Sequence, residues 1–125
     1  MTAMLDYEIE AFGRRLGLDS LVFSPQGVAC LNIENVGSLY LEKSEGRGRG
    51  ELLVYVSAPL PVPDNGATRR LLEICDYRHG HAMPVFAGAF SGRAVLLTRM
   101  EESTVTAAGI ENALRMLTDL MRGVL

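Results

Sequence analysis

Apolar positions recur along this chain at two periods, and the switches between them mark its elements. In "MLDYEIEAFGRRL", residues 4–16, Leu5, Ile9, Phe12 and Leu16 fall on one face at a period of 3.6, which predicts an amphipathic helix. Its acids come early and Arg14 and Arg15 late, as the helix dipole favours, and Gly17 is a natural stop. The period then drops to two. "LVF" at 21–23 and the turn "SPQG" lead into "VACLNIE" at 28–34, where Ala29, Leu31 and Ile33 alternate with Cys30, Asn32 and Glu34. "SLYLEK" sets Leu39 and Leu41 on one face. After the loose loop "EGRGRG", "ELLVYVSA" at 51–58 sets Leu52, Val54 and Val56 against Leu53 and Tyr55. Alternating strands with short connections read as an antiparallel meander.

"PLPVPDNG" breaks the pattern with three prolines. Helical spacing returns over about 67–78, "ATRRLLEICDYR", with Asp64 or Asn65 as its cap. "PVFAGAF" and "GRAVLLTR" form a strand pair joined at "SG". A third helix runs from about Thr104 to Arg122, with Ile110, Ala113, Leu114, Leu117, Leu120 and Met121 on its apolar face. The order α-β-β-β-α-β-β-α lacks the regular βαβ alternation of a parallel sheet. The expected class is therefore α+β, a mostly antiparallel sheet packed with three helices.

Size and charge narrow the function. The 125 residues are 48% hydrophobic and 22% charged, enough for one domain, residues 1–125, with a core that needs no metal or disulfide. A net charge of -3 argues against nucleic acid as a partner. No apolar run is long enough for membrane insertion. The start of the chain lacks the basic and apolar regions of a signal peptide. Cys30 and Cys75 fit free, buried thiols in a reducing cytoplasm.

Reactive residue types gather in "ICDYRHGHAMP", residues 74–84. Cys75, His79 and His81 give C-x3-H-x-H. On a helix Cys75 and His79 share a face, but Gly80 ends the helix before His81. A structural zinc site needs four ligands in paired motifs, and Cys30 stands alone. A Cys–His nucleophile needs a base in reach and an oxyanion hole, which proximity in sequence does not supply. The expected cofactor and metal set is empty. A small enzyme or metal-binding protein using Cys75, His79 and His81 is the alternative. Glu101 and Glu102 lie in the approach to the third helix, near its positive end. "GRGRG" matches no phosphate-binding loop.

The broader signal is that the strands carry apolar residues on both faces: Leu53 and Tyr55 beside Leu52 and Val54, Phe86 and Phe90 beside Val85 and Ala87, Val95 and Leu97 beside Ala94 and Leu96. An antiparallel sheet with one wet face should alternate cleanly. Three helices can cover only part of the second face, and the remainder predicts an interface, with a second copy or with an apolar polypeptide. A plain dimeric interaction module is a further alternative.

Four segments carry a family resemblance: "FGRRLGLDSLVFSPQGVACLNIE", through Phe12, Leu16, Gly17, Leu18, Leu21, Phe23, Gly27, Leu31 and Ile33; "LLVYVSAPLP", through Leu52, Val54, Tyr55 and Pro61; "RRLLEIC", through Leu71, Leu72 and Ile74; and "SGRAVLLTRM" before a long amphipathic helix. In their order the chain resembles the class I type III secretion chaperones, the group related to the Tir and YopE chaperones. It departs from them at Cys75–Asp76 and "HGHAMP", where members often carry Asn and Gly-Gly. The resemblance implies a non-enzymatic homodimer in the bacterial cytoplasm that holds the N-terminal segment of a secreted effector extended. Carried across, Phe12, Leu16, Val22, Phe23, Leu31, Ile33 and Leu39 become candidates for effector binding. Leu71, Leu72, Cys75, Val85 and Val95 become candidates for the dimer interface. Some of both sets must be plain core.

Overall fold

The computed structural model describes residues 2–76 and 80–125. Three helices and five strands follow one another in the expected order: α1 (Thr2–Arg15), β1 (Val28–Ile33), β2 (Gly37–Ser44), β3 (Glu51–Pro59), α2 (Ala67–Ile74), β4 (Phe86–Phe90), β5 (Arg93–Glu101) and α3 (Ala107–Val124). The strands form one antiparallel sheet in the order β1-β2-β3-β5-β4. β1 and β4 are therefore its two edges.

The register sorts the strand residues into rows. Ala29, Leu41, Val54 and Thr98 form one row, and Leu31, Leu39, Val56, Leu96 and Ala87 the next. These rows face the helices. Leu39, Leu41, Leu52, Val54, Val56 and Leu96 pack with Leu5, Ile9 and Phe12 of α1, Leu71 of α2, and Ile110, Ala113, Leu117 and Met121 of α3. α3 lies over β3 and β5, α2 over β4, and α1 against α3.

Several local expectations are corrected. Leu21–Phe23 is not a strand. Leu21 instead folds back onto α1 at Gly13, where a Cβ would stand 2.7 Å from that of Leu21, so the contact needs the glycine. α2 stops at Ile74 rather than near residue 78, because the N–H groups of Cys75 and Asp76 turn back to the carbonyls of Leu72 and Glu73. α3 starts at Ala107 rather than Thr104, since Glu102–Thr104 make a 3-10 turn and Val105 is extended. Glu101 and Glu102 do not serve the positive end of α3. Thr106 accepts from the Gly109 N–H, and the Glu8 carboxylate, from α1, accepts from the Ala107 N–H at 2.9 Å. Arg15 of α1 also pairs with Glu111 of α3 at 2.6 Å.

The position preceding α2 is Gly66, at φ 86°, with no side-chain cap. Asp64 acts from two residues earlier. Its carboxylate accepts from the Thr68 hydroxyl at 2.6 Å and the Thr68 N–H at 3.1 Å. The hydroxyl bond, then the N–H, holds the Asp64 carboxyl below the usual carboxylate range. A lowered folded-state value stabilises the fold above the unfolded-state value, and that stabilisation disappears as pH falls through the lowered one. The melting temperature should therefore drop on acidification below about pH 4. Asp64→Asn should melt lower at neutral pH and fall less over that acid range. Parallel pH–melting curves for the two proteins would contradict this.

Arg70 ties α2 to the end of α3. Its Nε donates to the Val124 carbonyl at 3.0 Å and a terminal nitrogen to the Asn65 carbonyl at 3.0 Å. A guanidinium placed on a helix's last carbonyls satisfies orphan acceptors and matches the dipole.

Candidate functional site

The helices leave the inner face of β1 incompletely covered. Ala29 is buried, but Leu31 and Ile33 on the same side are only half-buried. The gap forms a groove of about 530 Å3, floored by Leu31 and Ile33 and walled by Leu16 and Leu18 at the end of α1 and by Leu114 and Thr118 of α3. Its rim carries both signs of charge: Glu34, Glu111 and Asp119, with Arg115 and Arg122. An apolar floor with a charged rim suits an apolar segment that stays oriented by polar flanks. The Thr118 hydroxyl is buried and makes no hydrogen bond. β1 is also an edge strand; at its start Ser24 already bonds the Val28 N–H and C=O, and the outer groups further along are placed for an added strand.

The candidates for effector binding separate into three groups. Leu16, Leu31 and Ile33 line the groove. Val22 and Phe23 border a smaller hollow with Asp6, Ile9 and Lys43. There Lys43 sits 4.5 Å above the Phe23 ring and 3.2 Å from Asp6, and Val22 is exposed. Phe12 and Leu39 are fully buried in the protomer core and offer a partner no surface. The same correction applies to Leu71, on the buried side of α2, whereas Leu72 and Cys75 are exposed and Val85 and Val95 half-buried. Leu18, Leu114 and Thr118 complete the groove beyond the residues that the sequence pointed to. Leu114 was legible as part of the apolar stripe of α3. Thr118 breaks that stripe as a polar residue.

Of the cluster at 74–84, Cys75, Asp76 and His81 line one hollow together with Met83, Val85 and Phe86. Cys75 lies just past α2, and its Sγ donates to the Val85 carbonyl at 3.5 Å. His81 Nε2 lies 2.8 Å from the Ile74 carbonyl, so that nitrogen carries the proton and caps α2. His79 lies outside the described residues. Among the described residues no group of three such side chains is placed to hold a metal ion. Both cysteines are free and exposed rather than buried.

All three helices pack on one face, so the other face of the sheet has no helical cover. Cys30, Tyr40, Tyr55, Leu97 and Phe86 cross it as one row. Tyr40 and Tyr55 stack with centroids 5.0 Å apart. The Tyr55 hydroxyl donates to Glu42 at 2.8 Å. Burial and that bond raise its pKa above the ordinary tyrosine value, which keeps the hydroxyl protonated as a donor. Arg93 covers Ser57, donating to its hydroxyl at 2.8 Å.

An α+β chain of this build, with Cys75 and His81 tied to backbone carbonyls and an apolar groove beside a sheet edge, has the architecture of a binding protein. Solved structures with the same fold include the Yersinia pestis type III secretion chaperone SycH in complex with a stable fragment of YscM2. That match has TM-score 0.69 and 13% identity, over 96% of this chain and 98% of that one. The ExsC–ExsE complex matches with TM-score 0.71 and 23% identity, over 95% of this chain and 89% of the other. The heterodimeric ExoU–SpcU complex from the Pseudomonas aeruginosa type III secretion system matches with TM-score 0.57 and 25% identity, over 92% and 89%. No curated protein matches the sequence. The model of the type III secretory system chaperone SycN family matches residues 4–125. The chain belongs to that family of type III secretion chaperones.

Proposed function

We propose that the protein binds the N-terminal segment of a type III secretion effector and keeps it extended, without catalysis or cofactor, in the bacterial cytoplasm. The observation that carries this is the groove of Leu16, Leu18, Leu31, Ile33 and Leu114 beside the unpaired edge of β1, in a chain of the chaperone family. The fold supports the same reading, since one solved structure that shares it is a type III secretion chaperone in complex with a fragment of another protein. No helix among the described residues is long and apolar enough to cross a membrane. Val22 and Phe23 form a second contact for the client, while Phe12 and Leu39 support the groove from beneath. The whole chain acts as one chaperone domain and works as a homodimer, with Leu72, Cys75, Val85 and Val95 near the contact between copies.

The physics of such a site is demanding. Each client residue ordered on binding loses about 1–2 kcal/mol of backbone entropy. Apolar burial contributes about 25 cal/mol per Å2 against it. Strand addition along β1 satisfies the client's backbone while its side chains enter the groove.

The test is co-expression with the product of a neighbouring gene that encodes a larger protein with a disordered N-terminus. A soluble complex that survives trimming of that client to its N-terminal segment is the expected result. Failure of every such candidate to bind overturns the reading. Binding of folded clients alone would leave a plain dimeric interaction module in its place.

A further inference from the structure

Two side-chain hydroxyls among the described residues are buried without a hydrogen-bond partner, those of Thr98 and Thr118. A buried polar group left unpaired destabilises a fold, and an apolar side chain of the same shape avoids that loss. The two threonines differ in place. Thr98 is fully buried in the strand row with Ala29, Leu41 and Val54 and does not line the groove. Thr118 is only 6% exposed, yet it belongs to the groove wall on α3, across from Leu31 and Ile33. A threonine inside a helix ordinarily returns its hydroxyl to the carbonyl three or four residues back. Neither Arg115 nor Leu114 receives it here.

The other polar side chains of the groove are accounted for. Glu111 pairs with Arg15 and Arg115, and Asp119 with Arg122. Asn32 accepts from Ser38, and Glu34 is open to water. Of the described groove residues, Thr118 alone holds a polar atom that is both buried and unpaired.

We infer that Thr118 sets the groove's specificity: its hydroxyl bonds an uncharged polar side chain that the client carries two residues from an apolar anchor. This rests on the client-binding reading of the groove and names the side-chain chemistry that the groove selects. The client's backbone is engaged by strand pairing along β1, so the partner is a side chain. Side chains on one face of a strand recur every second residue, as Leu31 and Ile33 do on the groove floor. At that spacing the polar residue faces α3 together with the anchor. Its head is uncharged, because an ion drawn out of water against one neutral hydroxyl loses far more than it gains. Amide and hydroxyl side chains fit, since each both donates and accepts. In the free chain the Thr118 hydroxyl is closed off from solvent. A turn of about 120° around χ1 exchanges it with the methyl, and threonine in a helix uses two such rotamers. The client therefore draws the hydroxyl into the groove, and an all-apolar segment leaves it unpaired.

The test is calorimetric titration of the full chain with a peptide spanning the N-terminal segment of the co-expressed client, alongside melting curves. Thr118→Val should bind at least about 10-fold more weakly and melt no lower than the parent. Thr118→Ser keeps the hydroxyl and should stay within about 3-fold of the parent's affinity. Thr98→Val should also melt no lower, and should bind as the parent does. In the peptide, each uncharged polar residue is replaced in turn by an apolar one of similar size. One such replacement should weaken binding to the parent about 10-fold and change binding to Thr118→Val little, which marks the coupled pair. If Thr118→Val binds as tightly as the parent, the inference is overturned and client binding in the groove stands. A Thr118→Val that melts well below the parent overturns it too, because the hydroxyl then serves the protomer. So does a loss of affinity that no client side chain shares. A parent that binds no candidate segment overturns the functional reading and the role of Thr118 with it.

Discussion

A chaperone carrying Leu16→Asp and Leu18→Asp loses its client segment and keeps its fold. Both leucines wall the groove and are more than one third exposed, at 37% and 38%. Replacing them removes little protomer contact, so the melting temperature should move by only a few degrees. For the client the change is large. An apolar anchor that enters this groove would meet a carboxylate it cannot pair with, and Glu34, Glu111 and Asp119 already stand on the rim. Loss of a central anchor costs about 2 kcal/mol or more, about 30-fold in affinity, and two neighbouring anchors cost more, though not additively. Calorimetric titration with the client's N-terminal segment measures this directly. Unchanged affinity in the double variant would move the site away from the groove.

Phe12→Ala has the opposite signature. The ring is fully buried among the largest core side chains, so its truncation should cost about 3–5 kcal/mol. That is a large share of the roughly 5–15 kcal/mol that holds a domain together. The melting temperature should fall by roughly 10–20 °C, and client binding should fail only as the folded fraction falls. The comparison with Leu16, one turn further along the same helical stripe, separates core from groove. If Phe12→Ala melted with the parent yet released the client, Phe12 would belong to the groove after all.

That pair of residues also shows what the sequence could and could not convey. The 3.6 period placed Phe12 and Leu16 on one face of α1; Phe12 is there, and Leu16 stands just beyond Arg15, where the helix ends. Period identifies the buried side of an element but not how far the neighbouring elements extend over it. Phe12 is roofed by the sheet and α3, while Leu16 lies past the last turn of α1, where that cover ends. The strands behaved alike. Alternation gave the rows of Leu39, Leu41, Val54 and Val56 directly, and the apolar second set, with Tyr55, Leu97 and Phe86, announced a face without helical cover. Which set met the helices depended on packing between distant segments. The same holds for the Glu8 carboxylate at the start of α3, a hydrogen bond spanning 99 positions. In "ICDYRHGHAMP" residue types were a poor guide, because Cys75 and His81 are occupied by backbone carbonyls on either side of the turn.

The strand order keeps two surfaces of the sheet independent. β1 and β4 are its opposite edges, four strand spacings and therefore about 20 Å apart. A client strand added along β1 leaves the backbone groups of β4 untouched, so whatever covers that second edge does not compete with the client for hydrogen bonds.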